Sequence, residues 1–322
     1  MNNGEQLKNI FEANVRDYQG STEVNEQIQQ SLNDPGGEDF WWLNNGVTIV
    51  ASQATQSGKT LSIEDPEVVN GLQTSTEIVN YFNRTSNSDK RKLLVRIIVP
   101  GKSESRDHII KATNSQTKIP QASLRATDKV HRDIEEFFRP HSLYYDRRKN
   151  YYKNDGKPID RIIGIPSLAQ SGMSIFLQRP DNARARPSSL LKKDEDYKRL
   201  FNSDYPVNIY LFCAQVMRNV DAFLKSQIAD MPLMDRNNLR FYIAMHATAM
   251  VAQTAHPTVT TLASLDIKSI SDSTLQASTQ IVRPLYETLG GNDQVAKGPD
   301  LLKDVLKDLE YRFPNPKLNG MT

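Results

Sequence analysis

Cysteine is almost missing from this chain of 322 residues, since Cys213 is the only one and lies inside an apolar run. A single thiol excludes a disulfide framework and a thiolate metal site, and it fits a reducing cytoplasm. No apolar run approaches the length of a membrane span, about 18 residues, and the first residues lack the charged and apolar blocks of a signal peptide. We expect a soluble, cytoplasmic protein without a membrane partner.

A large charge of either sign is missing as well. The chain has 40 lysines and arginines against 38 aspartates and glutamates, which gives a net charge of +2. Binding to nucleic acid would therefore depend on a local basic patch. With 38% hydrophobic residues, the chain has enough apolar surface to bury real cores.

The order of helix and strand patterns predicts the fold class. Val24, Ile28 and Leu32 recur at helical spacing, which predicts an amphipathic helix. Runs rich in β-branched residues predict strands within residues 47–51, 61–69 and 93–99. The last run is nearly continuously apolar, so we expect it at the centre of its sheet.

Helical patterns alone continue from about residue 165. We predict an α/β or α+β N-terminal domain with a small mixed sheet over residues 1–160, followed by an all-α C-terminal domain over residues 161–322. The helical domain is expected to contact a protein partner or a second copy of the chain.

The loop from Asn70 to Thr74 is the strongest candidate for a binding site. It joins a strand to a predicted helix through Gly71, and Thr74 with Glu77 has the spacing of a capping box. Backbone N–H groups and a hydroxyl at a helix start can hold a phosphate or another anion. A plain turn with a helix cap explains the same residues without any ligand.

Two further polar stretches could complete such a site. Trp41 and Trp42 precede Asn45, a combination that can stack on a base and bind its edge. It can equally be an Asn-Gly turn beside two core tryptophans. Asn114 and Gln116 follow a predicted helix and could form a second wall of the site, or an ordinary solvated loop.

A string of aromatic and basic residues near the middle of the chain suits single-stranded nucleic acid. Tyr145, Arg147, Arg148 and Lys149 belong to this string. Bases could stack on its rings while its cations neutralise phosphates. A solvated amphipathic hairpin is the alternative interpretation.

Familiar catalytic patterns are scarce in this chain. The histidines show no metal-ligand spacing, and we expect no metal site. Arg240 and His246 resemble the arginine and histidine pair of small helical ribonucleases, although a histidine on a long helix is more often structural. No catalytic residue is identified from the sequence.

Four stretches together resemble one protein family. They are Asn14-Val-Arg16 with Val24-Asn25, the run from Phe40 to Ile49, the run from Val69 to Ser75, and the residues from Asn114 through Arg125 to Tyr145. Their order and spacing resemble the AIPR family, whose members are associated with abortive infection and phage resistance in bacteria. The resemblance implies a bacterial antiviral defence protein. Because the first residues already enter the family's core, we expect a short member or a fragment of a longer protein.

A more distant resemblance bears on mechanism. The strand, the loop from Asn70 to Thr74 and the helix look like the Asp-Gly-Gln-His-Arg loop of DGQHR proteins, which belong with the ParB and sulfiredoxin-like fold. That fold holds nucleotide phosphates at a helix start. The resemblance therefore implies a nucleotide, with Mg²⁺, as the candidate cofactor. Here Asn70 replaces the acid and Thr74 lies near the position of the histidine, which leaves binding without turnover.

These observations lead to one hypothesis and two alternatives. The hypothesis is a phage-defence protein that binds a nucleotide or nucleic acid through Asn45, Asn70, Gly71, Gln73, Thr74, Asn114 and Gln116, and meets phosphates with Arg125, Arg147 and Arg148. The first alternative is a nuclease or nucleotidase that is active only when infection is sensed. The second is a DNA-binding regulator or scaffold without catalysis.

Overall fold

The structure, a computed structural model, describes residues 8–11, 14, 17–34, 36–85, 89–101, 103–115, 125–185, 194–226 and 231–314. The chain divides into two units. The first consists of residues 1–128 and 146–162, and the second of residues 129–145 and 163–322. The boundary predicted at residue 160 differs from this division, which assigns residues 129–145 to the second unit.

The first unit alternates helices with short strands. Its elements in chain order are α1 (Glu23–Asn33), β1 (Val47–Val50), β2 (Gln53–Ser57), β3 (Thr60–Glu64), β4 (Glu67–Asn70), α2 (Leu72–Arg84), β5 (Val95–Ile98) and α3 (Ser103–Ser115). Single turns of helix occur at Lys8–Phe11, Tyr151–Asn154 and Ile159–Arg161. The hydroxyl of Thr22 accepts the N–H of Asn25 and so caps α1, as threonine commonly does at a helix start.

The main sheet of the first unit has three strands in the order β4–β1–β5. β4 is antiparallel to β1, and β5 is parallel to it. The central position predicted for residues 93–99 is wrong, because β5 is at the edge of the sheet and Val95 is 45% exposed. The single strand predicted within residues 61–69 is two strands, and β3 pairs with β2 in a hairpin whose polar sequence has no apolar period.

Both faces of this sheet are covered. Val68 and Val69 are consecutive in β4, and consecutive strand residues point to opposite faces. Val68 packs with Val47 and with the first residue of α2, whereas Val69 packs with Val50 and Ile110. The sheet therefore holds the start of α2 on one side and α3 on the other.

The second unit is built from helices. They are α4 (Lys129–Phe138), α5 (Ile165–Ile175), α6 (Pro180–Ala185), α7 (Asp194–Leu200), α8 (Asn208–Ser226), α9 (Leu233–Ala252), α10 (Val259–Ala263), α11 (Asp272–Thr288), α12 (Asp293–Lys297) and α13 (Pro299–Arg312). Two short strands, Tyr144–Asp146 and Ile162–Gly164, lie where the chain passes between the units. The predicted fold class, a small mixed sheet with helices followed by a helical half, is confirmed.

The long helices α8 and α9 supply much of the second core. Cys213 is fully buried on α8, and burial raises the pKa of its thiol. Among the helices in the described ranges, none combines the length and the apolar character that crossing a membrane requires.

Hydrogen bonds between polar side chains link three helices of the second unit. His246 on α9 contacts Ser278 on α11 through Nδ1 at 3.0 Å and Asp308 on α13 through Nε2 at 3.0 Å. Arg312 donates two further hydrogen bonds to Asp308, at 2.6 and 3.1 Å. Burial lowers the pKa of His246 below 6.5 against the opposing effect of Asp308. Burial tends to raise the pKa of Asp308, but the hydrogen bonds from Arg312 and His246 outweigh it and lower that pKa.

The second unit is predicted to lose stability as the pH falls below 6.5, the ordinary pKa of histidine. Because the folded-state pKa of His246 is lower, the unfolded chain takes up the proton first, so the free energy of unfolding falls from pH 6.5 down to that folded-state pKa. Urea unfolding at pH values of about 7.5 and about 5.5, followed by helical circular dichroism, measures the effect. His246→Gln keeps a neutral donor and acceptor and should show a smaller difference. Equal differences in the two proteins would rule this explanation out.

Candidate functional site

The passage from β4 to α2 consists of one residue, Gly71. Its φ of 101° and ψ of 14° lie in the left-handed region that favours glycine. A Cβ at this position would lie 2.6 Å from the carbonyl oxygen of Gly46 and 2.8 Å from the Cα of Val47. Conformation and space therefore both require glycine here.

The predicted capping box at Thr74 and Glu77 is wrong. α2 begins three residues earlier, with Gly71 as its N-cap and no side-chain cap, and the N–H of Ser75 donates to the carbonyl of Gly71 at 2.8 Å. Thr74 is buried in the first turn. Glu77 is also buried and accepts hydrogen bonds from the hydroxyl of Tyr18 and from Gln29.

A cavity of about 520 Å³ opens beside this helix start. Its walls come from α1 and the residues before it, the segment before β1 and the turn into α2. It brings together five of the predicted ligand-binding residues, namely Asn45, Asn70, Gly71, Gln73 and Thr74. The volume lies within the usual range for small-molecule sites, about 300–1,000 Å³.

Gln73 holds one wall of the cavity in place. Its Oε1 accepts the backbone N–H of Gln19 at 3.1 Å and the Nδ2 of Asn25 at 3.0 Å, and its Nε2 donates to the carbonyl of Asp17 at 3.3 Å. Together with Glu77, which binds Tyr18, it fastens the segment before α1 to α2. Burial first, and then Glu77, raises the pKa of the Tyr18 hydroxyl to about 12.

Asn25 is a residue of the cavity wall that the candidate set omits. It is fully buried, and its Nδ2 donates to the carbonyl of Gly20 at 2.6 Å and to Gln73 at 3.0 Å. Its Oδ1 has no hydrogen-bond partner among the described residues. The inward stripe of α1 is Asn25, Ile28 and Leu32, whereas Val24, which the helical pattern placed on that stripe, is 59% exposed. Asn25 precedes Ile28 by three residues, which fits the helical period, but apolar spacing alone does not select it.

The two asparagines before β1, Asn44 and Asn45, differ in their contacts. Asn44 makes a turn, since its Oδ1 accepts the N–H of Gly46 at 2.8 Å. Asn45 is exposed at the cavity, and its side chain makes no hydrogen bond with the described residues. Trp41 and Trp42 are 40% and 62% exposed and touch edge to face, with ring centroids 5.7 Å apart, so the alternative that placed both in the core is wrong.

A protein-family model described as AIPR protein matches residues 11–289. The chain belongs to the AIPR family. The family that the four stretches indicated is therefore confirmed, and it is one associated with abortive infection and phage resistance. Comparison with curated proteins and with solved structures gave no significant match.

Asn70 and the other ligand residues predicted for this AIPR chain differ in what the structure describes of them, and of Asn114, Gln116 and Arg125 only the side chain of Arg125 is described; it is not part of the cavity wall. Asn70 lines the cavity but uses its Nδ2 to bind the carbonyl of Thr113 at 2.9 Å, which fixes the end of α3. Gln116 and the side chain of Asn114 lie outside the described residues. Arg125 makes an ion pair with Asp128 at 3.9 Å.

The predicted nucleic-acid string is largely buried in the AIPR chain. Tyr145 is fully buried in the second unit, where its hydroxyl contacts His131 at 2.8 Å. In the first unit, Arg147 donates to the carbonyl of Ala126 at 3.2 Å, and the guanidinium of Arg148 lies 3.9 Å from the centroid of a tyrosine ring. Of the four residues only Lys149 is exposed.

The candidate catalytic pair lacks an exposed histidine. His246 is 1% exposed and bonded on both ring nitrogens, and Arg240 donates to Asp221 at 2.6 Å. Ser278, His246 and Asp308 follow the order of a hydrolase triad, but Ser278 is fully buried. Within the described part of the chain, no three acidic, histidine or cysteine side chains lie close enough together to hold a metal ion.

Replacing Gly71 with alanine should destabilise the first unit by roughly 2–5 kcal/mol. Alanine is strained at this φ, and its methyl group would overlap the backbone at the start of β1. Gly58→Ala is the matched control: its φ is +63°, but no atom lies within 4 Å of the added Cβ, and about 1–2 kcal/mol is expected. Both tryptophans are in the first unit, so denaturant unfolding followed by their fluorescence reports on it alone. Equal losses in the two variants would contradict the close approach at Gly71.

Proposed function

We propose that this AIPR protein acts in phage defence by binding a nucleotide, or the end of a nucleic acid, in the cavity of its first unit. One observation carries the proposal. The turn at Gly71 delivers a helix start to a cavity of nucleotide size whose other polar side chains are mostly amides. Membership of the family supports the role in defence, and the cavity supports the binding.

The helix start suits a phosphate. The amides of Leu72, Gln73 and Thr74 come before the first hydrogen bond of α2, which Ser75 makes, so their N–H groups have no acceptor within the helix. These groups and the helix dipole favour a negative charge. Asn45, which is exposed at the cavity, could hydrogen-bond to the sugar or base.

The proposal is binding and not turnover. Hydrolysis of a phosphate ester needs an acid, a base or a bound metal ion beside the reacting atoms. Among the described residues of the cavity wall, none carries a carboxylate, an imidazole or an amine. The bound state would then be passed on, and we assign that task to the helical unit, through a protein partner or a second copy of the chain.

The proposal predicts that nucleotides raise the melting temperature of the first unit, since a ligand at about 100 times its dissociation constant stabilises the native state by about 2.7 kcal/mol. The measurement is thermal unfolding followed by tryptophan fluorescence, with nucleoside mono-, di- and triphosphates, each with and without Mg²⁺. Asn45→Ala should reduce the rise without harming the fold, because Asn45 is exposed and its side chain holds no described residue.

Asn83→Ala is the control for this experiment, because Asn83 is an exposed amide on α2 away from the cavity wall. It should keep the full rise. Absence of a rise with every nucleotide, or an equal rise in both variants, would overturn the proposal. Asn70→Ala is less suitable, since it also releases the end of α3. In bacteria expressing the chain, Asn45→Ala should weaken protection against phage and Asn83→Ala should not.

A further inference from the structure

The cavity beside Gly71 has an uncharged wall. Of the described residues that line it, none is Lys, Arg, His, Asp or Glu, and amide side chains outnumber hydroxyls among the polar ones. A phosphate drawn fully into such a space would meet no cation. A neutral group that both donates and accepts hydrogen bonds suits it better, because each amide offers one acceptor and two donor hydrogens.

Asn25 provides a hydrogen-bond acceptor in this wall that has no donor among the described residues. Both hydrogens of its amide are used by the carbonyl of Gly20 and by Gln73, and its Oδ1 accepts nothing from the described residues. Turning the amide over would put Oδ1 against the same two oxygen acceptors, so the orientation is determined by its neighbours. Asn25 also lines the cavity, so a ligand held there can supply the donor. A buried acceptor without a donor is unfavourable, which makes an N–H group the complementary ligand feature.

Apolar side chains flank the amides. Val24 and Leu43 line the cavity and are 59% and 48% exposed, so they offer apolar surface to the faces of a flat ring whose edge meets the amides. A nucleobase combines these properties: apolar faces and an edge of donors and acceptors. A peptide backbone has the donors and acceptors but no comparable ring faces.

We propose that the cavity recognises the base of its ligand and requires an exocyclic amine on that base, as in adenine, guanine or cytosine. This inference rests on the proposed function. The amine donates to Oδ1 of Asn25. The phosphates lie at the helix start and add little to the affinity, no more than about fivefold, which is the usual size of a helix-dipole contribution. A nucleoside without phosphate is then a sufficient ligand.

The test titrates the full chain with pairs of nucleosides that differ in the amine, followed by tryptophan fluorescence or calorimetry. Adenosine and guanosine are compared with inosine, and cytidine with uridine. At least one amine-bearing nucleoside should bind about tenfold or more tightly than its partner, since the partner leaves Asn25 unsatisfied. Its triphosphate should bind no more than about fivefold more tightly than the nucleoside.

Two variants sharpen the result. Asn25→Ala should bind both members of a pair alike, and Asn45→Ala should weaken both members while keeping their ratio. Where Asn25→Ala does not fold, because it also loses its contacts with Gly20 and Gln73, the nucleoside pairs alone decide.

The outcomes separate this inference from the function on which it rests. Equal affinity within every pair, or binding of nucleotides without binding of nucleosides, overturns the requirement for an amine and leaves nucleotide binding intact. Failure of every nucleoside and nucleotide to bind overturns both.

Discussion

The first unit depends on the contact between two backbones at Gly71. β4 must end, turn within one residue and begin α2 while it lies directly against the start of β1, and only a residue without a Cβ allows this. The same constraint applies at Gly46, just before β1. Its φ is +68°, and a Cβ there would lie 2.2 Å from the carbonyl oxygen of Leu94, just before β5. Three chain segments therefore meet at backbone distance. The cavity is the space that remains where α1 and the segment before β1 reach the start of α2.

The strand, the glycine and the helix of this region could be predicted from the sequence because each is a local pattern. A β-branched run, a turn residue and a helical period are all legible over a few positions. The start of α2 could not be placed to the residue, because the cap is the backbone of Gly71 and not the hydroxyl of Thr74. The edge position of β5 could not be predicted either, since an apolar strand is compatible with the centre or with an edge that is partly exposed.

Asn25 shows why part of the site was out of reach. The helical pattern of α1 fits two stripes that differ by one residue, and preference for the more apolar stripe favours Val24 over Asn25. The stripe that faces inward is decided by Gly20 and Gln73, which lie elsewhere in the chain and bind the Asn25 amide. Arg147 and Arg148 show the opposite case. Their charge predicts exposed side chains, but Arg147 donates to a backbone carbonyl and Arg148 packs against an aromatic ring, and both are buried. His246, Ser278 and Asp308 lie on three different helices, so no spacing in the sequence could reveal their contact.

The uncharged wall of the cavity has a consequence for the conditions under which such a protein can work. Binding that pairs fixed charges with phosphates releases counterions, and its affinity falls steeply as salt rises. Binding through amides and apolar faces has no such dependence, because no ion atmosphere is exchanged. A ligand held by this wall would lose little affinity as the ionic strength of the cell rises, because only the small contribution of the helix start is screened by salt.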